Sequence, residues 1–283
     1  MKDFDKLVRA ALDEDIGEGD HSTLSCIPPH QQGSAVLKVK EEGVLAGMEV
    51  AEKIFSLLEP LAKFNASMKD GDQMKFGDEA FQIHASVHTI LKAERLVLNC
   101  MQRMSGIATL TKKYTDKLKG YSTRLLDTRK TTPNFRLFEK EAVRIGGGIN
   151  HRFGLFDMIM LKDNHIDYCG GIEQAIERSF DYVQRMKPGL KIEIETRSID
   201  DVKKVLAAGE GKVFRVMLDN FKPAQVKEAV KLIAGKFETE ASGGINLDNI
   251  QDYAATGVDF VSVGALIHQA RSLDLSLKAR LIN

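Results

Sequence analysis

Basic side chains are concentrated between Leu125 and His165, in a segment that also contains three successive glycines. From Leu126 to Lys162 there are seven Lys/Arg and four Asp/Glu residues, although the whole chain contains 40 of each kind. Because this excess is local, it favours a small polyanion over nucleic acid as the ligand. The side chains of interest are Arg129, Lys130, His151, Arg152 and Lys162.

Two short apolar runs precede these basic groups. The run from Thr123 to Asp127 comes before the Arg129-Lys130 pair, and the run from Phe156 to Leu161 comes directly before Lys162. Charged groups that follow buried parallel strands commonly form the ligand site of an α/β fold. The alternative is that they lie on an ordinary solvated helix face.

Short apolar strands alternate with helical periodicity after Gly120, which predicts a parallel sheet covered on both faces. The predicted strands are Thr123 to Thr128, Phe156 to Leu161, Leu190 to Glu195, Val213 to Leu218, Phe237 to Ala241 and Val258 to Val263. The predicted helices are Arg136 to Ile145, Ile172 to Met186, Ile199 to Ala208, Pro223 to Ala234 and Leu247 to Ala255. This alternation is typical of a barrel or a doubly wound sheet.

The first part of the chain predicts a small α+β domain with an antiparallel sheet. An opening helix containing Phe4 and Leu12 is expected, followed by strands and one further helix. The strands are Ser34 to Lys40, Ala62 to Ser67 and Glu79 to Ala85, and the helix is Met48 to Leu58. A long helical pattern then extends from Ser86 to Leu118, in which Gly106 predicts a kink or a break.

Two carboxylates end adjacent predicted strands, Glu195 and Asp219. Beside basic groups, they could bind ribose hydroxyls or Mg²⁺. Glu193 lies on the same strand face as Glu195 and is a second candidate for the functional acid. Glu195 is preferred because it lies nearer the strand end. The alternative is that both carboxylates only pair with Lys162 or Lys130.

Small-residue turns end the last two predicted strands. Ser242-Gly243-Gly244 follows one strand, and Gly264-Ala265 follows the other. In α/β-barrels, backbone N–H groups at this position commonly bind a phosphate. A phosphate site is therefore predicted, with plain tight turns as the alternative.

Arginine binds a planar carboxylate through two parallel hydrogen bonds, so Arg129 and Arg152 suit a ligand that carries carboxylates as well as phosphate. His151, adjacent to Arg152, is either part of this site or a structural histidine. His165 equally suits a functional role or a cap of the following helix.

Composition and charge exclude several classes of protein. With 283 residues and 43% hydrophobic content, the chain suits one large domain or two unequal ones. Balanced charges argue against a dedicated nucleic-acid or membrane-surface protein. The scattered Cys26, Cys100 and Cys169 do not suggest a disulfide framework, and no signal-peptide core or membrane-spanning run is visible, so we expect a cytoplasmic protein.

Several motifs, in this order and spacing, resemble the quinolinate phosphoribosyltransferases, also called nicotinate-nucleotide pyrophosphorylases (carboxylating). The resemblance covers nearly the whole chain and is carried by EGDHST, GVLAG, RMSGIAT, DTRKTTP, GGGINHR, MLKDNH, VMLDNF, EASGGI and SVGAL. Departures are Asn134 in place of a frequent glycine, a slightly longer loop at Gly209 to Lys212, and Ile267-His268-Gln269. Asn134 also tolerates a left-handed backbone, so the turn is expected to survive.

The resemblance implies an α/β chain with an N-terminal α+β sandwich domain and a partly open α/β-barrel of fewer than eight strands. We assign 1–118, including the linking helix, to the first domain and 119–283 to the barrel, whose last residues are expected to pack back on the first domain. It also implies a homo-oligomer, a dimer or a hexamer, with active sites shared between subunits. The composition, by contrast, is the reason for expecting neither nucleic acid nor a membrane as a partner.

The implied reaction joins quinolinate and phosphoribosyl pyrophosphate, with Mg²⁺, to give nicotinate mononucleotide, pyrophosphate and CO₂ in NAD biosynthesis. By this resemblance Lys130, Lys162, Glu195 and Asp219 are the catalytic residues. Arg103 would reach the active site of the partner subunit. The quinolinate carboxylates would be bound by Arg129, His151 and Arg152. Lys130 and Lys162 would contact phosphate groups. The two carboxylates would hold ribose or its Mg²⁺, and the 5′-phosphate would be held by Ser242, Gly243, Gly244 and Gly264.

Three other functions remain open from the residues. A Schiff-base enzyme would use Lys162 or Lys130 as its nucleophile, which requires a depressed pKa. A non-catalytic sensor would bind a phosphorylated pyridine nucleotide without turnover. The same transfer chemistry could also act on nicotinate, although two arginines and a histidine favour a diacid.

Overall fold

The computed structural model describes residues 2–280 of the chain. They divide into two compact units. The first unit comprises the chain as far as Lys112, the segment Thr131–Gly147 and the chain from Ile267 onward. The second unit comprises Lys113–Lys130 and Gly148–Leu266.

Helices and strands follow one another along the chain, and they alternate for the most part after residue 120. Up to residue 117 they are α1 (Lys2–Ile16), α2 (His21–Cys26), β1 (Gln32–Val39), β2 (Gly43–Val44), α3 (Met48–Leu58), β3 (Lys63–Ala66), β4 (Gln73–Met74), β5 (Glu79–Ser86) and α4 (Val87–Lys117). The remaining elements are β6 (Arg124–Leu126), α5 (Arg136–Ile145), β7 (Ile159–Leu161), α6 (Asp163–Cys169), α7 (Ile172–Met186), β8 (Ile192–Thr196), α8 (Ile199–Ala208), β9 (Arg215–Asp219), α9 (Pro223–Ile233), β10 (Glu238–Ser242), α10 (Ile250–Ala254), β11 (Phe260–Ser262), α11 (Ala265–His268) and β12 (Leu275–Arg280).

The first unit contains an antiparallel sheet in the order β12-β1-β5-β3. Alternation along β5 buries Phe81 and Ile83 fully, because successive side chains of a strand point to opposite faces. Helix α3 adds Ile54 and Phe55 to the core. Strand β12 pairs with β1 over six residue pairs, from Ser34↔Arg280 to Val39↔Leu275. The predicted antiparallel α+β sheet is therefore confirmed.

Of the kink or break predicted at Gly106, the break is wrong, because helix α4 is continuous through this residue. The glycine instead permits a close approach of the chain. A Cβ atom at Gly106 would lie 1.9 Å from the carbonyl oxygen of Arg271. Close backbone contact, rather than a helix end, is therefore the physical reason for glycine at this position.

The second unit contains a wholly parallel sheet in the order β6-β11-β10-β9-β8-β7. All five residues of β8 are buried, as expected for a strand covered on both faces. Each of the six predicted strands is present, with somewhat different bounds. Six strands with intervening helices confirm the prediction of a partly open α/β-barrel in the part of the chain that the structure describes.

Within residues 2–280, no helix combines the length and the apolar character that crossing a membrane requires.

Candidate active site

Five predicted site residues of the second unit lie at the carboxyl ends of its parallel strands. Glu195 is the next-to-last residue of β8, while Asp219 and Ser242 are the last residues of β9 and β10. Lys162 follows β7 directly, and Gly264 follows β11 after one intervening residue. Because the strands are parallel, these groups share one edge of the sheet, where ligands bind in α/β folds.

A lysine and two carboxylates meet on this edge. The Nζ atom of Lys162 lies 3.6 Å from Oε2 of Glu195. Burial raises the pKa of Glu195, the negative charge of Asp219 raises it further, and Lys162 opposes both effects. Two carboxylates that repel each other in this way could hold a hard cation such as Mg²⁺, which prefers oxygen ligands.

The end of β9 is joined to the glycine turn after β10. The backbone N–H of Asn220 donates to the carbonyl oxygen of Ser242 at 2.8 Å, and its side-chain amide donates to Asp219 at 2.6 Å. Gly243 has a φ of 94°, and a Cβ atom there would lie 2.2 Å from Oδ1 of Asn220. Glycine is therefore required where this turn packs against the carboxylate loop.

Arg129 is half-buried and Arg152 is buried, and their positive charges repel each other. Burial lowers the pKa of Arg152, and the positive charge of Arg129 lowers it further, whereas Glu193 acts in the opposite direction. One terminal nitrogen of Arg152 donates to the carbonyl oxygen of Met158 at 3.2 Å. The Nε atoms of both arginines are buried without a hydrogen-bond partner among the described residues. An anion with several acceptor oxygens would satisfy these donors and relieve the repulsion.

His151 is buried, and both of its ring nitrogens face groups of its own unit. Its Nδ1 atom lies 2.7 Å from the backbone nitrogen of Arg152, which donates to it. Its Nε2 atom lies 3.0 Å from Oε2 of Glu193 and 3.2 Å from Oε2 of Glu240. The backbone N–H of His151 donates to Asp127 at 2.8 Å. The ring therefore lies between the backbone of Arg152 on one side and the carboxylates of Glu193 and Glu240 on the other.

The two carboxylates control the protonation of this ring. Burial lowers the pKa of His151, but the attraction of the Glu193 and Glu240 carboxylates, 3.0 and 3.2 Å from Nε2, outweighs burial and raises it to about 9. The hydrogen bond from the backbone N–H of Arg152 requires an Nδ1 without a proton, so it opposes a second proton on the ring. In the neutral ring and in the charged ring alike, a proton stays on Nε2, the nitrogen that faces the carboxylates.

Arg215 completes a buried charge cluster that we define as His151, Glu193, Arg215 and Glu240. The guanidinium of Arg215 lies 3.1 Å from Oε2 of Glu240 and 3.9 Å from Oε2 of Glu193. Burial and repulsion by Glu240 raise the pKa of Glu193 to about 7, although His151 and Arg215 oppose the shift. Ligand atoms of His151, Glu193 and Glu240 lie within 4.8 Å of one another and could also hold a metal ion.

Sequence reasoning missed Arg215 and Glu240 and ranked Glu193 below Glu195. A signal was present, because charged residues interrupt otherwise apolar runs in three adjacent strands. Charges inside strands buried on both faces are costly unless they are paired.

Lys130 and His165 lie beside the strand ends. The Lys130 side chain is exposed, and its backbone N–H donates to Oγ1 of Thr128 at 3.1 Å. The Nδ1 atom of His165 accepts the backbone N–H of Lys162 at 3.0 Å. His165 lies in the first turn of α6, and its side chain caps the start of that helix, which confirms the interpretation of His165 as a helix cap.

Arg103 belongs to the first unit. Its Nε and one terminal nitrogen donate to Oε1 of Glu139 at 3.0 and 2.9 Å. Its terminal nitrogens also donate to the carbonyl oxygens of Ala270 and Ile267. Sequence reasoning did not identify Glu139, which gives no signal beyond being one of two acids on an amphipathic helix.

Comparisons with known proteins cover nearly the whole chain. The family model for the quinolinate phosphoribosyl transferase N-terminal domain matches residues 20–105, and the model for its C-terminal domain matches residues 107–278. A protein of Nicotiana tabacum named quinolinate phosphoribosyltransferase [decarboxylating] 1b is 43% identical over 98% of this chain and 82% of its own length.

Bacterial proteins are similar to a comparable degree. A probable nicotinate-nucleotide pyrophosphorylase [carboxylating] of Bacillus subtilis is 40% identical over 98% of this chain and 94% of its own length. The crystal structure of NadC from Streptococcus pyogenes superposes with a TM-score of 0.91 at 41% identity, covering 99% of this chain and 97% of that one. The chain therefore belongs to the quinolinate phosphoribosyltransferase family.

Proposed function

We propose that this protein transfers the phosphoribosyl group of phosphoribosyl pyrophosphate to quinolinate and decarboxylates the product. The products are nicotinate mononucleotide, pyrophosphate and CO₂, which places the reaction in NAD biosynthesis. Family membership supports the reaction. The observation that carries the choice of substrate is the Arg129–Arg152 pair, whose buried Nε atoms have no partner among the described residues.

Quinolinate has two adjacent carboxylates, and each guanidinium can bind one of them through parallel hydrogen bonds. Binding a dianion would also offset the repulsion between the arginines. This repulsion contributes to lowering the pKa of Arg152. Nicotinate, with a single carboxylate, would satisfy only one guanidinium, so the diacid is the better match.

The phosphoribosyl donor is assigned to the strand ends around the glycine turns. Backbone N–H groups at Ser242, Gly243, Gly244 and Gly264 would bind its 5′-phosphate. Glu195 and Asp219 would bind the ribose hydroxyls or the associated cation. Lys130 and Lys162 would approach the phosphate oxygens and neutralise charge on the departing pyrophosphate.

Mg²⁺ fits the donor set at Glu195 and Asp219, because both are oxygen ligands and repulsion by Asp219 contributes to raising the pKa of Glu195. When bound, Mg²⁺ supplies positive charge that stabilises the leaving pyrophosphate. The residues of this chain orient the pyridine nitrogen of quinolinate towards the ribose carbon. They need no covalent nucleophile, because the pyridine nitrogen itself forms the new bond.

We extend the proposal to a homo-oligomer, a dimer or a hexamer, in which Arg103 contributes to the site of a partner subunit. Every nitrogen of the Arg103 guanidinium has an acceptor within the first unit, so such a contribution would add an acceptor or exchange one.

A cytoplasmic location remains the prediction from the scattered cysteines. Cys26, Cys100 and Cys169 are free thiols.

The test is a turnover assay of the purified protein with quinolinate, phosphoribosyl pyrophosphate and Mg²⁺. Formation of nicotinate mononucleotide and CO₂ from quinolinate, but not from nicotinate, would support the proposal. Binding without turnover would favour the sensor, and trapping of a carbonyl substrate by borohydride would favour the Schiff-base enzyme. Omitting Mg²⁺ and restoring it tests the cation requirement separately.

A further inference from the structure

Three charged side chains lie buried in the middle strands of the parallel sheet, below the strand-end site. Glu193 in β8 and Glu240 in β10 are completely buried, and Arg215 in β9 is 6% exposed. Burying charges costs several kcal/mol per ion even after relaxation, so apolar residues would usually stabilise such a layer at least as well. These charges therefore suggest a role besides stability.

The cluster is connected to the arginine pair through a single side chain, His151. The carboxylates of Glu193 and Glu240 face its Nε2 atom at 3.0 and 3.2 Å. On the opposite side of the ring, Nδ1 accepts the backbone N–H of Arg152 at 2.7 Å. Groups of this chain thus contact both ring nitrogens, which leaves the ring poorly placed to donate to a substrate carboxylate.

The position of Arg152 is restrained as a result. The ring cannot rotate without separating Nε2 from two carboxylates, and the N–H bond of Arg152 is directed at the ring. The backbone of His151 is held separately by Asp127. Arg215 in turn holds Glu240 through a contact of 3.1 Å. The contacts form a continuous path from the middle of the sheet to the backbone of Arg152.

We propose that Glu193 and Glu240 are positioning residues that act through His151 to hold Arg152 in place for a substrate carboxylate. This inference rests on the proposed function, in which Arg152 binds quinolinate. It assigns His151 to orientation instead of substrate contact. It also gives the buried charges a role in affinity for the diacid, and none in binding phosphoribosyl pyrophosphate.

The test compares two variants at one position with a matched control. Glu193→Ala removes the nearer of the two carboxylates that face Nε2 and should raise the KM for quinolinate about tenfold or more, the equivalent of one hydrogen bond to a charged group. The KM for phosphoribosyl pyrophosphate should change by less than about twofold, because its site uses other residues. Glu193→Gln keeps an oxygen that can accept from Nε2 and should restore most of the affinity.

Glu238→Gln is the control variant. Glu238 contacts the same Arg215 at 2.7 Å, but its side chain is 35% exposed and lies at the opposite end of β10 from Ser242. It should leave both KM values unchanged. Equal changes in both KM values for Glu193→Ala, or no rescue by Glu193→Gln, would overturn the proposal in favour of a purely structural role.

A double-mutant cycle tests the path through the ring. If Glu193 acts through His151, adding Glu193→Ala to His151→Asn should change the KM for quinolinate little beyond the effect of His151→Asn alone. Additive effects would overturn the proposal, because they would mean that the two side chains act independently.

The nitrogen-15 NMR spectrum of the His151 ring in the wild-type protein provides a measurement that needs no turnover. The resonances are assigned by their loss in His151→Asn. A proton should remain on Nε2 from pH 6 to pH 8, and a bare Nε2 would overturn the proposal. Failure of the wild-type protein to convert quinolinate would instead reject the proposed function. The NMR measurement on the ring does not depend on that function, so the two failures can be told apart.

Discussion

The carboxylate of Glu139 is fully buried and accepts hydrogen bonds from two nitrogens of Arg103. The same carboxylate accepts the backbone N–H of Thr132 at 2.8 Å and its hydroxyl at 2.9 Å. Thr132 lies two residues after Lys130 in the sequence. One buried acid therefore holds both Arg103 and the segment that follows the Arg129-Lys130 pair.

Removing this acid should destabilise the first unit strongly. Breaking a buried ion pair typically costs about 3–5 kcal/mol, because the remaining charge loses its partner. We expect Glu139→Ala to lower the urea midpoint of the first unit accordingly. The control is Glu141→Ala on the same helix, which removes an exposed pair with Arg144 and should cost about 0–1 kcal/mol. Equal losses for the two variants would contradict the assignment.

Loss of one arginine of the pair should weaken binding of the diacid selectively. We expect Arg152→Ala to raise the KM for quinolinate by about tenfold to a hundredfold, the usual effect of losing hydrogen bonds to a charged group. Steady-state kinetics with each substrate varied in turn measure the effect. Arg185→Ala, which alters an exposed arginine of α7, should leave both KM values near those of the wild-type protein. A larger effect on phosphoribosyl pyrophosphate than on quinolinate would argue against the proposed carboxylate clamp.

The two strand-end carboxylates should determine the Mg²⁺ dependence. We expect Asp219→Asn and Glu195→Gln to raise the Mg²⁺ concentration that gives half-maximal activity, because each removes a negative oxygen ligand. The measurement is a Mg²⁺ titration at saturating concentrations of both substrates. Asp248→Asn, a change at a loop acid ahead of α10, is the control. An unchanged titration curve for both site variants would mean that the cation is held elsewhere.

Two adjacent glycines should respond differently to alanine. In Gly243→Ala the new Cβ would lie 2.2 Å from Oδ1 of Asn220, at a φ of 94°. Overpacking of this kind costs about 1–3 kcal/mol in addition to the cost of the left-handed backbone, and it should displace the loop that carries Asp219. In Gly244→Ala no atom lies within 4 Å of the added Cβ, at a φ of 65°, so only the cost of a left-handed backbone, about 1–2 kcal/mol, applies. Thermal melting and the KM for phosphoribosyl pyrophosphate measure the difference, and equal effects would contradict it.

The strands and the residues at their ends could be predicted because their signals are local. Apolar runs bounded by charges or glycines located Lys162, Glu195 and Asp219, since a strand and its end are defined by neighbouring residues. Asn134 was expected to tolerate a left-handed turn, and it has a φ of 60°. The break at Gly106 was mispredicted because a glycine that admits a distant backbone has the same local signal as one that ends a helix.

The sequence by itself determined the alternation of elements, the parallel sheet and the set of chemical groups along one edge of that sheet. Only the tertiary structure decided which charges are paired. His151 meets Glu193 and Glu240 because β8 and β10 flank β9, and Arg103 meets Glu139 across 36 positions of the sequence. Periodicity records only which face of its own element a residue occupies. The partner on that face depends on strand order and helix packing, which contacts between distant segments establish.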